Sequence, residues 1–308
     1  MSGPVELRCS VTSREADEQL FGTAATATTW LLLEYDGRWE RKAYEQSDLP
    51  DAVIAWLARQ EAALPDARVQ LIRQNPRLAP DGIAFFVALA RETDPLLVEF
   101  SLGGYEDLLS LDLSAIGTDA DPYVAQRRDE PLFLVCTHGK RDLCCALRGL
   151  PVYVEATELA GASVWQTSHV GGHRFAANLL TFPHGIAYGR VEPQHVAEIV
   201  EATRRGEVMP EMMRGRACYN EHVQAAEHFL RSATGMHALD AFEVVEAAPE
   251  EPDHWQIRFK ERASGELYTL DVAAEKSDFH VYKSCGDAEP KAVTQHRLLH
   301  FKVKTPAS

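Results

Sequence analysis

The chain has 308 residues, 45% of them hydrophobic and 25% charged, with a formal net charge of −15 at pH 7. That length allows two or three compact domains, and that composition excludes a disordered, collagenous or membrane-embedded protein. The negative charge excludes non-specific nucleic-acid binding, because a phosphate backbone is repelled and the basic clusters Arg127-Arg128, Lys140-Arg141 and Arg204-Arg205 are short.

The N-terminal third opens with a polar segment, beginning Met-Ser-Gly-Pro-Val-Glu, with neither a basic nor an apolar leader region; a cytoplasmic location is expected. Residues 28–35 then form a continuous apolar run, which reads as a strand buried on both faces and is too short to span a bilayer, so no membrane partner is expected. Asp36-Gly37 marks a turn. A helix is predicted over 51–64, strands over 69–74, 83–90 and 96–101, and a short helix near 105–109. This gives a small α/β domain over residues 1–120, closed by a Gly- and Asp-rich linker at 117–123.

A second α/β unit is expected over 130–218. A strand at 132–135 ends directly on Cys136, followed by an irregular helical stretch over 142–159 and a strand at 163–167. A helix over 173–178, strands at 179–182 and 186–191, and a helix over 193–205 complete it; Pro193 and Gly206 mark the ends of the last helix. The order β-α-β-α-β-β-α is that of a thioredoxin-like fold, with functional loops at the C-terminal ends of its first two strands. Residues 219–308 add a helix over 220–232 and alternating runs at 242–245, 255–259, 267–272 and 279–283, read as a small antiparallel appendage. A topology shared by the two α/β units is one reading of the chain; no other internal repeat is visible.

Chemistry concentrates in two short segments. Three of the six cysteines, Cys136, Cys144 and Cys145, fall within ten residues, and six are too few for a disulfide scaffold in a chain of this length. After one intervening strand comes Ser168-His169-Val-Gly-Gly-His173. Two thiolates and two imidazoles on loops that follow neighbouring strands make a four-ligand set suited to zinc or to an iron-sulfur cluster. The eight or nine residues between the cysteines exceed the two to four usual for a zinc knuckle, which favours the cluster. Gly171 and Gly172 let the backbone approach a bulky group.

The segment from Cys136 to Cys145, His169-Val-Gly-Gly-His173-Arg-Phe-Ala-Ala-Asn178 and Tyr188-Gly-Arg190 resemble the sucrase/ferredoxin-like family. So do the opening Phe21-Gly-Thr-Ala-Ala-Thr and the later Arg214-Gly-Arg216 and Gln224-Ala-Ala-Glu227. The resemblance implies a thioredoxin-like ferredoxin domain holding a [2Fe-2S] cluster on Cys136, Cys145, His169 and His173. The fold class expected is therefore α/β: a small α/β domain, a C-terminal thioredoxin-like ferredoxin domain, and a small antiparallel β appendage.

Two neutral imidazoles in place of two thiolates make such a cluster less negative and easier to reduce. The expected function is that of a soluble, Rieske-like, proton-coupled electron carrier working with a redox partner protein. A zinc-stabilised binding protein on the same ligands, or a thiol oxidoreductase using Cys144-Cys145, are the alternatives. The sequence shows no paired-carboxylate site for glycoside hydrolysis. Around the four ligands, His138, Cys144, Arg141 and Arg174 are expected as a supporting shell, with Cys144 a neighbour rather than a ligand. Cys9, Cys218 and Cys285 read as inert structural cysteines, and Asn178, Trp165 and Tyr188 as structural.

Overall fold

The first strand, β1 (Thr29–Glu34), is buried along its whole length. Its side chains alternate between two cores, Trp30 and Leu32 on one side of the sheet and Leu31 and Leu33 on the other. That is the consequence of an apolar run placed at the middle of a layered α/β structure. The computed structural model describes residues 8–78 and 81–305.

Before β1 comes a short helix, α1 (Arg8–Glu15), which the polar composition of that segment had hidden. After β1 come α2 (Asp51–Ala63), β2 (Ala67–Arg73), β3 (Ile83–Leu89) and β4 (Leu96–Leu102). The second half runs β5 (Leu132–Cys136), α3 (Leu143–Ala160), β6 (Val164–Thr167), β7 (Leu179–Phe182), β8 (Ile186–Tyr188), α4 (Pro193–Arg204) and β9 (Met213–Arg216). The remainder is α5 (Glu221–Thr234), β10 (Phe242–Glu251), β11 (His254–Glu261), β12 (Leu267–Lys276) and β13 (Thr294–Lys304).

Nine strands make one mixed sheet in the order β4-β3-β1-β2-β6-β5-β7-β8-β9, and β10 to β13 make a second, antiparallel one. Within each half the pattern repeats. β1 and β2 are parallel with β3 antiparallel to β1, as β5 and β6 are parallel with β7 antiparallel to β5. The halves meet edge to edge where β2 pairs antiparallel with β6, through Ile72 with Thr167 and Arg73 with Gln166.

Several expectations change, and the short helix expected near 105–109 is a 3₁₀ segment, Tyr105–Ser110. The helix expected over 173–178 is a single 3₁₀ turn, His173–Phe175, because the chain turns extended at Ala176 (φ −60°, ψ 143°). The run at 279–283 is not a strand: only an isolated bridge joins Val281 to Lys291. The strand that completes the second sheet is instead β13, whose charged, weakly alternating sequence masks it. No helix among the described residues is long and apolar enough to cross a membrane.

Candidate metal centre

Cys136 is the last residue of β5, and the backbone there is fixed from both sides: its N–H donates to Asn178 O at 3.0 Å. The chain then loops to Asp142, whose carboxylate caps α3 by accepting from Cys144 N at 3.0 Å. The cap places Cys145 in the first turn of α3, facing back towards Cys136. Gly149, one turn further on, lies so close to Cys136 O that any side chain there would collide with it; this is what allows α3 to press onto the strand end.

β6 ends beside β5, and its following loop carries His169 and His173. Sulfur and nitrogen atoms of Cys136, Cys145 and His169 all lie within 4.8 Å of one another, with Cys145 Sγ at 4.0 Å from His169 Nδ1. His173 stacks on His169, ring centroids 4.4 Å apart and planes 20° from parallel. Its Nδ1 is buried without a hydrogen-bond partner. Two buried thiols and an imidazole within reach of one another fit a metal group well; His173 lies outside that group of three and joins it only through its stack on His169, its orphaned nitrogen still needing a partner.

Electrostatics prepare the same atoms. The hydrogen bond from Cys145, aided by His169 and opposed by burial, holds the Cys136 thiol well below its ordinary pKa. The same hydrogen bond, with burial, pushes Cys145 well above it. Burial and then the neighbouring His169 push His173 down to about 4, leaving it neutral and its lone pair available near pH 7.

The supporting residues have distinct tasks. His138 accepts from His169 N at 3.2 Å through Nδ1 and faces Glu40 O at 2.9 Å with Nε2. That arrangement assigns the proton to Nε2 and makes His138 a clamp on the His169 loop. Arg174 pairs with the buried Glu18 at 2.8 Å. Arg141 is half-buried and contributes to keeping His173 uncharged. Cys144 points away from the centre, into a group formed with Cys9, Cys285 and Asp142.

Sequence reasoning overlooked Arg214. It is buried, and it donates to Asn178 Oδ1 at 2.8 Å and to Gly171 O at 3.2 Å, and also to Thr23 O. Asn178 Nδ2 in turn donates to Gly172 O at 3.0 Å. Both groups hold the glycine turn between the two histidines, where Gly171 and Gly172 have φ of 90° and 69°. The motif Arg214-Gly-Arg216 was the available signal, but a motif does not show which loop its arginine reaches.

The sucrase/ferredoxin-like family matches residues 20–215. This chain belongs to that family. Among similar proteins, "Altered inheritance of mitochondria protein 32" of Meyerozyma guilliermondii is 33% identical over 97 residues, covering 28% of this chain and 34% of the relative. The protein of that name from Debaryomyces hansenii is 36% identical over 96 residues, 27% of this chain and 35% of its own. That of Eremothecium gossypii is 39% identical over 87 residues, 27% and 26% respectively. The chain thus spans roughly a third of the relatives it matches. No solved structure matches it.

These findings correct the expected function. The relatives are named for altered inheritance of mitochondria and not as iron-sulfur electron carriers, so the Rieske-like electron carrier is withdrawn. The physical reason is that two thiols and two imidazoles specify affinity for a soft metal, and zinc uses the same donors without any redox role. What stands is a Cys/His cluster able to bind a metal.

Proposed function

We propose that the chain is a metal-binding protein whose centre is held by Cys136, Cys145, His169 and His173. The observation that carries this is the convergence of Cys136, Cys145 and His169 within 4.8 Å, with His173 stacked on His169 and its Nδ1 without a partner. The group proposed for the site is a [2Fe-2S] cluster. It is supported by two thiolates and two imidazoles on neighbouring strand-end loops, and by a glycine turn that keeps side chains out of the way. A single zinc ion is the second reading, because zinc takes the same cysteine and histidine donors, three of which converge here within 4.8 Å. When bound, either group stabilises the fold by tying β5, α3 and the loop after β6 together.

The strand order β6-β5-β7-β8, with β5 and β6 parallel and β7 and β8 antiparallel to their neighbours, supports a thioredoxin-like arrangement for this half. A cytoplasmic location is proposed with it, and cell fractionation tests that.

Iron, zinc and acid-labile sulfide measured per chain decide the occupant. Cys136→Ser, Cys145→Ser, His169→Ala and His173→Ala are each expected to lose the group, with iron and sulfide lost in equal amounts if it is the cluster. Retention of full metal content by the Cys136→Ser, Cys145→Ser double variant would sink the proposal.

A further inference from the structure

The doublet Cys144-Cys145 serves two places. Successive residues of a helix point about 100° apart, and while Cys145 faces Cys136, Cys144 faces α1 and the loop between β12 and β13. There it meets Cys9 Sγ at 3.4 Å and Cys285 Sγ at 3.3 Å, and Cys9 lies 3.4 Å from Cys285. The three sulfurs form a nearly equilateral triangle drawn from positions 135 and 141 residues apart. Cys9 and Cys144 are fully buried. Asp142 stands beside them, Oδ1 at 3.7 Å from Cys9 Sγ, and one ligand atom from each of the four residues lies within 4.8 Å of the others.

We propose that Cys9, Cys144, Cys285 and Asp142 form a second metal site, taking a single zinc ion as a closed structural centre. The sizes agree. With zinc-sulfur bonds of about 2.3 Å, an ion over a sulfur triangle of this size sits about 1.2 Å out of its plane. The carboxylate of Asp142 then supplies a fourth, oxygen ligand. Three thiolates with one carboxylate suit zinc; a cuprous ion prefers sulfur alone, and calcium or magnesium prefers oxygen alone. A triangle also argues against a disulfide, which joins two sulfurs and strands the third.

The surroundings are built for such a centre. Asp142 Oδ2 accepts from Ser284 Oγ at 2.9 Å and from Cys285 N at 2.8 Å, so the residue that caps α3 also captures the loop carrying Cys285. That loop, residues 277–293, is long and nearly devoid of regular structure, the kind of connection that compact proteins keep for a purpose. α1 is only eight residues long, too short to be stable alone. A zinc ion here fastens both segments to the N-terminus of α3, immediately behind the first centre. The inference is independent of what occupies that first centre.

The test is zinc content of the full chain, purified under reducing conditions and equilibrated with zinc. Cys9→Ser and Cys285→Ser are each expected to lose one zinc per chain that Cys136→Ser and His169→Ala retain. Cys144→Ser is expected to lose this zinc and keep the group at the first centre. Because a serine variant can fail to fold, cobalt(II) is also titrated into the Cys136→Ser, Cys145→Ser double variant, where charge-transfer absorption from three thiolates is expected. A chelator should in addition speed proteolysis within 277–293 in the wild-type chain. Equal zinc in wild type and in the Cys9→Ser, Cys285→Ser double variant would overturn the proposal. So would absence of thiolate-cobalt absorption, copper or iron held by these residues in place of zinc, or a disulfide among the three.

Discussion

At the scale of single residues, the glycine turn between the histidines is where space and backbone conformation coincide. A side chain at Gly172 meets the guanidinium of Arg214, which is itself fixed by Asn178, Gly171 and Thr23 and cannot withdraw. Gly172→Ala therefore pays for a left-handed conformation, about 1–2 kcal/mol, and for displacement of a buried arginine. We expect it to lose metal at the first centre as well as stability. Gly206→Ala is the control: its φ is 68° but nothing lies within 4 Å of a Cβ there, so only the backbone cost of about 1–2 kcal/mol should appear. Equal metal content and equal thermal midpoints in the two variants would mean that Arg214 does not brace the turn. The four principal candidate residues were visible in the sequence because soft ligands are chemically rare. Cys9 and Cys285 read as inert, and their meeting with Cys144 was not visible, since nothing local to either residue announces a partner more than 130 positions away.

At the scale of elements, two of the motifs that resembled the family, Arg214-Gly-Arg216 and Gln224-Ala-Ala-Glu227, turn out to be a joint between β9 and α5. Arg216 and Arg231 both donate to the buried Glu227, at 2.9 and 3.0 Å. Gln224 donates to Arg216 O at 3.1 Å and Tyr219 O at 2.8 Å, and accepts from Ala24 N at 3.1 Å. Glu227→Ala leaves two guanidinium groups buried without their carboxylate and should cost about 3–5 kcal/mol in denaturant unfolding. A cost under about 1 kcal/mol would mean that water replaces the carboxylate. β9 itself was illegible as a strand: Met213-Arg-Gly-Arg216 is polar in composition yet wholly buried, with Arg216 paired to Glu227 and Arg214 satisfied by the neutral oxygens of Asn178, Gly171 and Thr23, partners that only the fold supplies.

The seam between appendage and body should respond to pH. His296 of β13 is buried and faces His222 at 5.5 Å between ring centroids, with Glu221 nearby and Gln19 bonded to its backbone. Burial, reinforced by His222, pushes His296 down to about 4 from an ordinary 6.5. Between those values the unfolded chain takes the proton and the folded chain does not. Stability therefore falls as pH drops from 6.5 towards 4, and this contribution levels off below. His296→Gln should flatten that part of the profile by about 1–3 kcal/mol, read as thermal midpoint against pH. A profile as steep as the wild type's would show that the seam does not titrate.

At the scale of the whole molecule, the question is whether residues 1–120 and 130–218 behave as separate folding units. The sequence places that division at a Gly- and Asp-rich connection, while the strand pattern common to the two halves emerges only in the structure. What the sequence could not supply is how repeated units meet, because pairing of edge strands depends on backbone groups that every residue carries. In the structure β2 and β6 are joined through only two registered pairs. The face beneath them, however, is one core containing Trp30, Leu32 and Phe86 from the first half with Leu134, Trp165 and Phe182 from the second. Trp165 packs edge-on against Phe86 across the seam, 5.6 Å between centroids, as Trp30 does against Phe182 at 5.3 Å. A shared apolar core couples halves far more strongly than two rungs of a ladder, since each large aromatic that leaves it costs about 3–5 kcal/mol. Trp165→Ala should lower stability by that amount, and hydrogen exchange should show β1 and β5 losing protection together. Selective loss of protection in the half that carries the substitution would instead establish two independent units.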